Sequence, residues 1–173
     1  MLVKDYNATF AALGTVSEDL ASNRLSLRHP GPQRQLHLPD DRTPAGCQGA
    51  TKRILIADGD ALLRDMLAAS LEDAGYQVKT AKDGEAAWAE LLARCYDLLV
   101  TDDIMPKTSG LALVRRIRVA SMALFVVLVS DRLDAVDVAK LNHDPWARFD
   151  AFVCKPFTMS EMLTVVQRVL AAV

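Results

Sequence analysis

The sequence predicts an α/β fold, a (βα)5 doubly wound parallel sheet, on three observations. Short apolar runs alternate five times with segments of helical period from Lys52 onward. Apart from the stretch around Val78, the runs are apolar almost throughout rather than at every second residue, as strands covered on both faces require. A change of composition near residue 50 confines the pattern to the length of one domain. Ile54–Ala57 is the first strand, and the helix after it sets Leu63, Met66, Leu67, Leu71 and Ala74 on one face. Val78 and its neighbours form the second strand, followed by a helix from about Gly84 to Arg94. Leu98–Thr101 is the third strand. The next helix, over Leu111–Arg118, buries Leu113, Val114 and Ile117 and exposes Arg115, Arg116 and Arg118. Leu124–Val129 is the fourth strand, with a helix expected near Leu133–Leu141. Ala151–Val153 is the fifth, and the last helix, Ser160–Ala172, repeats Met162, Leu163, Val166, Val169 and Leu170 along one stripe.

Residues 1–50 differ in kind. They hold four of the seven prolines, four of the eight glycines and nineteen apolar residues, and read as a disordered N-terminal extension to a domain at 51–173. The formal net charge of −2 leaves no basic excess for gripping a phosphate backbone, so no nucleic-acid partner is expected. No apolar run approaches the ~20 residues that span a bilayer, and the first twenty residues lack a signal-peptide core. The three cysteines, Cys47, Cys95 and Cys154, are odd in number and far apart, which suits reduced thiols. These features predict a cytoplasmic protein with no membrane partner.

In an open α/β sheet, ligands bind beyond the carboxyl ends of the strands. Asp58, Gly59 and Asp60 follow the first run, and Asp102 and Asp103 end the third, ahead of Ile104, Met105 and Pro106. Ser130 and Asp131 follow the fourth, and Lys155 and Pro156 stand just beyond the fifth. Each residue alone has a plain structural explanation, since an Asp after a strand is commonly a helix cap. Together, carboxylates, a hydroxyl and a lysine on one rim suit phosphoryl chemistry. Carboxylates hold Mg2+, one can attack phosphorus, and Lys with a hydroxyl neutralises phosphoryl oxygens.

The stretches ILIADGD, GYQVKTAKDGEAAW, YDLLVTDDIMPKTSG, VVLVSD and FVCKPF, spread over residues 52–173, resemble the receiver domain of bacterial two-component response regulators. The resemblance implies a flavodoxin-like strand order 2-1-3-4-5. It implies that Asp102 is the phosphoacceptor, that Ser130 and Lys155 contact the phosphoryl group, and that Phe152 is the switch aromatic. Asp58, Asp102 and the Ile104 backbone carbonyl would hold Mg2+, and the Lys155–Pro156 bond would be cis. The implied phosphodonor is a sensor histidine kinase or phosphotransfer protein. The implied output is a downstream protein bound through the face of the fourth helix, fifth strand and fifth helix.

Three departures from the family pattern bear on function. Gly59 replaces the usual second acidic residue, which predicts weak Mg2+ binding. Asp131 stands where a small residue is usual, as a solvated acid or a compensating carboxylate. The segment before the fifth strand is longer than is usual and carries Pro145, Trp146, Ala147, Arg148 and Phe149. Trp146 and Arg148 either anchor a partner or cover the loop. The reading is therefore a single-domain response regulator, not an enzyme, with a phosphorylation-independent pseudo-receiver as the alternative. Asp58-x-Asp60 also resembles the opening motif of haloacid-dehalogenase-like phosphatases. In that family the later acidic pair follows the lysine, whereas here Asp102 and Asp103 precede Lys155.

Overall fold

The computed structural model describes residues 51–132, 137–138, 141, 143–144 and 146–171. The expected extension over residues 1–50 and most of the expected helix near Leu133–Leu141 lie outside these residues. The described elements are β1 (Arg53–Ala57), α1 (Ala61–Asp73), β2 (Gln77–Ala81), α2 (Gly84–Ala93) and β3 (Leu98–Asp102). They continue with α3 (Gly110–Val119), β4 (Phe125–Ser130), β5 (Ala151–Cys154) and α4 (Met159–Ala171). All pairings are parallel and the strand order is β2-β1-β3-β4-β5, as expected.

Successive strand residues face opposite sides of the sheet, and here both sides are apolar. Ile54, Ile56, Leu98, Val100, Val127 and Val129 pack with Leu67 and Leu71 of α1 and Met162 and Val166 of α4. Leu55, Ala57, Leu99, Val126 and Leu128 pack with Ala87 and Leu91 of α2 and Leu113, Val114 and Ile117 of α3. A side chain of this kind contributes about 1.5–3 kcal/mol when fully buried. Three expectations are corrected. Met66 is 48% exposed and Ala74 is exposed too, because α1 meets the sheet through Leu67 and Leu71. Arg118 is not an exposed residue: its side chain is 13% exposed, drawn in by the Leu124 and Arg148 carbonyls that accept from it.

Helix starts follow local chemistry. Asp60 caps α1 by accepting from the Leu62 and Leu63 N–H groups, Asp83 caps α2 and Ser109 caps α3. Thr158 and Glu161 form a reciprocal capping box at the start of α4, with the Glu161 carboxylate accepting the Thr158 N–H at 2.7 Å and the Thr158 hydroxyl accepting the Glu161 N–H at 3.2 Å. The α1 C-terminus closes on Gly75 at φ 91, a left-handed position suited to glycine.

Gly110 matters for a different reason. A Cβ there would lie 2.3 Å from the Asp102 carbonyl oxygen, so the first turn of α3 can close onto the end of β3 only without a side chain. Gly59 is unlike it, since a Cβ would meet nothing nearer than the Pro106 Cδ at 3.4 Å. Gly110→Ala is expected to destabilise the domain by about 1–3 kcal/mol through overpacking. Gly59→Ala is expected to stay within about 0.5 kcal/mol. Urea midpoints of the two variants check this, and equal midpoints would contradict it.

Candidate functional site

The parallel register brings the strand ends to one rim. Ala57 pairs with Thr101, so Asp58 and Asp102 leave the sheet side by side. Thr101 pairs with Leu128 and Ser130 with Cys154, which sets Ser130 and then Lys155 on the same rim. Asp58, Asp102 and Ser130 are all buried.

Lys155 joins the acids. Its Nζ lies 3.1 Å from Asp102 Oδ1 and 3.3 Å from Asp58 Oδ2. The other Asp58 oxygen accepts the Asp60 N–H at 2.7 Å, and the Asp58 carbonyl accepts from Arg64 Nη1 at 2.8 Å. Asp58 is thus oriented by its own strand-to-helix turn, while Asp60 is occupied as the α1 cap. The Ile104 backbone N–H faces the Asp102 carboxylate and favours its charged form. The Ser130 hydroxyl accepts the Arg132 N–H at 3.1 Å, and the Ser130 carbonyl accepts the Lys155 N–H at 3.0 Å. The Lys155–Pro156 peptide is cis.

These contacts shift the titration of two groups. Burial raises the Asp102 carboxyl above its ordinary value, against the opposing hydrogen bond and charge of Lys155. Burial pulls the Lys155 ammonium down, but the hydrogen bond to Asp102 and the two carboxylate charges outweigh it, and the net shift is upward.

The site thus gathers Asp58, Asp102, Lys155 and Ser130. Ile104, two residues past Asp102, is 42% exposed. Asp131 is exposed, outside the pair that Lys155 bridges. Phe152 is half-buried against the core, its ring centroid 6.3 Å from that of Phe149. Trp146 is 53% exposed, and its N–H donates to Asp144, which pairs with Arg115 of α3 at 3.3 Å.

Among the described residues no group of three or more His, Cys, Asp or Glu forms a metal cluster. Two carboxylates and a backbone carbonyl nevertheless match the hard oxygen donors of Mg2+, which keeps several waters and commonly takes one or two carboxylates. The sequence reading missed Arg64 and Lys107. Arg64 carries a weak signal, as a basic residue one turn past the Asp60 cap. Lys107 carries none, because its partner Asp83 is far away in sequence.

The sequence model of the response regulator receiver domain matches residues 54–167. The response regulator receiver protein CpdR of Brucella abortus is 33% identical over 122 residues, covering 70% of this chain and 98% of that protein. The DNA-binding transcriptional regulator NtrC of Rhizobium meliloti is 33% identical over 123 residues, 71% of this chain but only 24% of its own length. The response regulator TrrA of Thermotoga maritima, solved in complex with Mg2+–BeF, is 30% identical. It superimposes with a TM-score of 0.60 over 69% of this chain and 99% of that one. No described helix is long and apolar enough to cross a membrane.

The raised Asp102 pKa has a consequence for stability. The folded chain binds this proton more tightly than the unfolded chain, so stability falls as pH rises from the ordinary value of 3.8 through the folded value. Asp102→Asn removes that penalty. Its urea midpoint is expected to exceed the parent's at neutral pH, with the gain vanishing at pH values below 3.8. A gain that is the same at all pH values would contradict this.

Proposed function

We propose, from the premise that this chain belongs to the response regulator receiver family of two-component signalling, that Asp102 accepts a phosphoryl group from a sensor histidine kinase or phosphotransfer protein. The observation that carries the reading is the Lys155 ammonium between the buried Asp58 and Asp102 carboxylates, at 3.3 and 3.1 Å. An Asp102 oxygen attacks phosphorus in line with the leaving nitrogen, the P–N bond breaks, and the histidine takes its proton from solvent. Lys155 is already within reach of the oxygens that would carry the new charge, and hydrogen bonding to them needs no long movement.

Asp58, Asp102 and the Ile104 carbonyl are the groups that would hold Mg2+. When bound, the cation neutralises phosphoryl oxygens. Gly59 leaves this set one anionic ligand short, which supports weak binding. Room for the missing side chain exists: a Cβ at Gly59 would stand 4.0 Å from the Ile104 carbonyl oxygen. Ser130, with its O–H free to turn while its oxygen accepts from Arg132, would donate to the phosphoryl group. That pull is relayed along β4 to Phe152, which pairs with Leu128 two residues before Ser130, while Ser130 itself pairs with Cys154. The output is contact with a downstream protein through the segment between β4 and β5, with β5 and α4.

Gly59 also favours a second reading, a pseudo-receiver that binds partners without phosphate. Lys155 already satisfies both carboxylates, as such a module requires. Acetyl phosphate with Mg2+ is expected to add one phosphoryl mass to the chain, and Asp102→Ala to abolish the gain. No gain from acetyl phosphate or from a phosphohistidine donor would overturn the acceptor reading in favour of the pseudo-receiver. Gly59→Asp is expected to tighten Mg2+ about tenfold or more by restoring an anionic ligand, measured by calorimetric titration. An unchanged affinity would remove Gly59 as the cause of weak binding.

A further inference from the structure

The loop between β3 and α3 carries Ile104, and its conformation is unusual at Lys107. The Thr108 N–H donates to the Pro106 carbonyl at 2.8 Å, closing a three-residue turn with Lys107 at φ 66. This is the rarer and strained hand of such a turn, which an L-residue adopts only when its surroundings hold it there.

Two contacts hold it. Lys107 Nζ lies 2.7 Å from the Asp83 carboxylate, which is itself buried and caps α2 through the Ala86 N–H at 2.8 Å. One turn outward, the Thr108 hydroxyl donates to Glu85 at 2.5 Å, and the same Glu85 oxygen accepts from Arg116 of α3 at 2.6 Å. Arg116 in turn stacks on the Trp88 ring, 4.5 Å from its centroid. The backbones are pressed together as well, since a Cβ at Gly84 would lie 2.3 Å from the Thr108 carbonyl oxygen. The turn is therefore latched onto the first residues of α2, an element that contributes nothing to the rim itself.

We propose that Asp83 and Lys107 are positioning residues: their ion pair holds the strained turn against α2 and thereby fixes the position of the Ile104 backbone beside Asp102. Four residues lie between Asp102 and Lys107, and Ile104 is one of them. A turn released from Asp83 relaxes toward ordinary backbone angles and carries Ile104 with it. The functional consequence rests on Asp102 as acceptor, but the latch does not, so the test is read first without phosphate.

The test uses the full chain, labelled with 15N, and follows the Ile104 amide. Lys107→Met removes the charge and keeps the stem, while Asp83→Asn removes the charge and keeps a good cap. Both are expected to accelerate Ile104 amide exchange about tenfold and to shift its proton resonance upfield. The amides of Leu91 in α2 and Ile117 in α3 stay as in the parent. Lys107→Arg keeps the charge and is expected to restore Ile104 to within about threefold of the parent. Unchanged Ile104 exchange in both neutral variants would overturn the proposal. Equal acceleration at Leu91 and Ile117 would also overturn it, by showing that the pair stabilises the whole domain instead. Phosphorylation of Asp102 by acetyl phosphate is then expected to slow in the neutral variants and recover in Lys107→Arg. A parent that takes up no phosphate defeats the acceptor reading alone, and the exchange data still decide the latch.

Discussion

Two carboxylates buried at the ends of neighbouring parallel strands need a cation, and Lys155 supplies it. Asp58 and Asp102 lie nearly out of water, where an unpaired charge costs far more than its interactions return. Lys155 comes from beyond the far edge strand, 97 residues from Asp58 in sequence. Its side chain reaches back across the rim to both acids. That one ammonium makes the polar rim compatible with the apolar core directly beneath it. Burial leaves Asp102 difficult to ionise in spite of this contact, whereas the contact itself makes Lys155 difficult to neutralise.

Around this contact the backbone is brought closer than side chains normally permit. Gly110 lets α3 begin against the Asp102 carbonyl, and Gly84 lets α2 begin against the Thr108 carbonyl. Both glycines allow a helix start to be set against the β3–α3 turn. Asp83, Lys107, Glu85 and Thr108 then tie that turn from the side. On the opposite end of α3, Arg118 donates to the carbonyls of Leu124 and Arg148, while the Asp150 carboxylate accepts the Val126 N–H. The approach to β5 is thus fastened to α3, and it presents the exposed Trp146 and Arg148 from a fixed backbone.

Gly59 stands between the buried Asp58 and the Asp60 cap of α1. Its backbone does not need glycine, and its Cβ position is open. A carboxylate placed there would therefore alter the charge of the rim more than its shape, adding an anionic ligand for a divalent cation. The match spans only 24% of the length of NtrC.

Much of the architecture was legible because burial on both faces leaves continuous apolar runs. The fourth strand is displaced by one residue from its expected bounds, since Ser130 ends it by pairing with Cys154. Met66 was misplaced because a helical stripe does not show where a helix meets its sheet. The strand-end residues Asp58, Asp102, Ser130 and Lys155 could be read directly, as every parallel strand delivers its carboxyl end to the same rim. The sequence by itself therefore determined which groups share the site. Only the tertiary structure decided that one ammonium lies between two carboxylates and that Lys107 meets Asp83. Distances across strands and between loops depend on strand order, twist and backbone approach, and these leave no periodic trace along the chain.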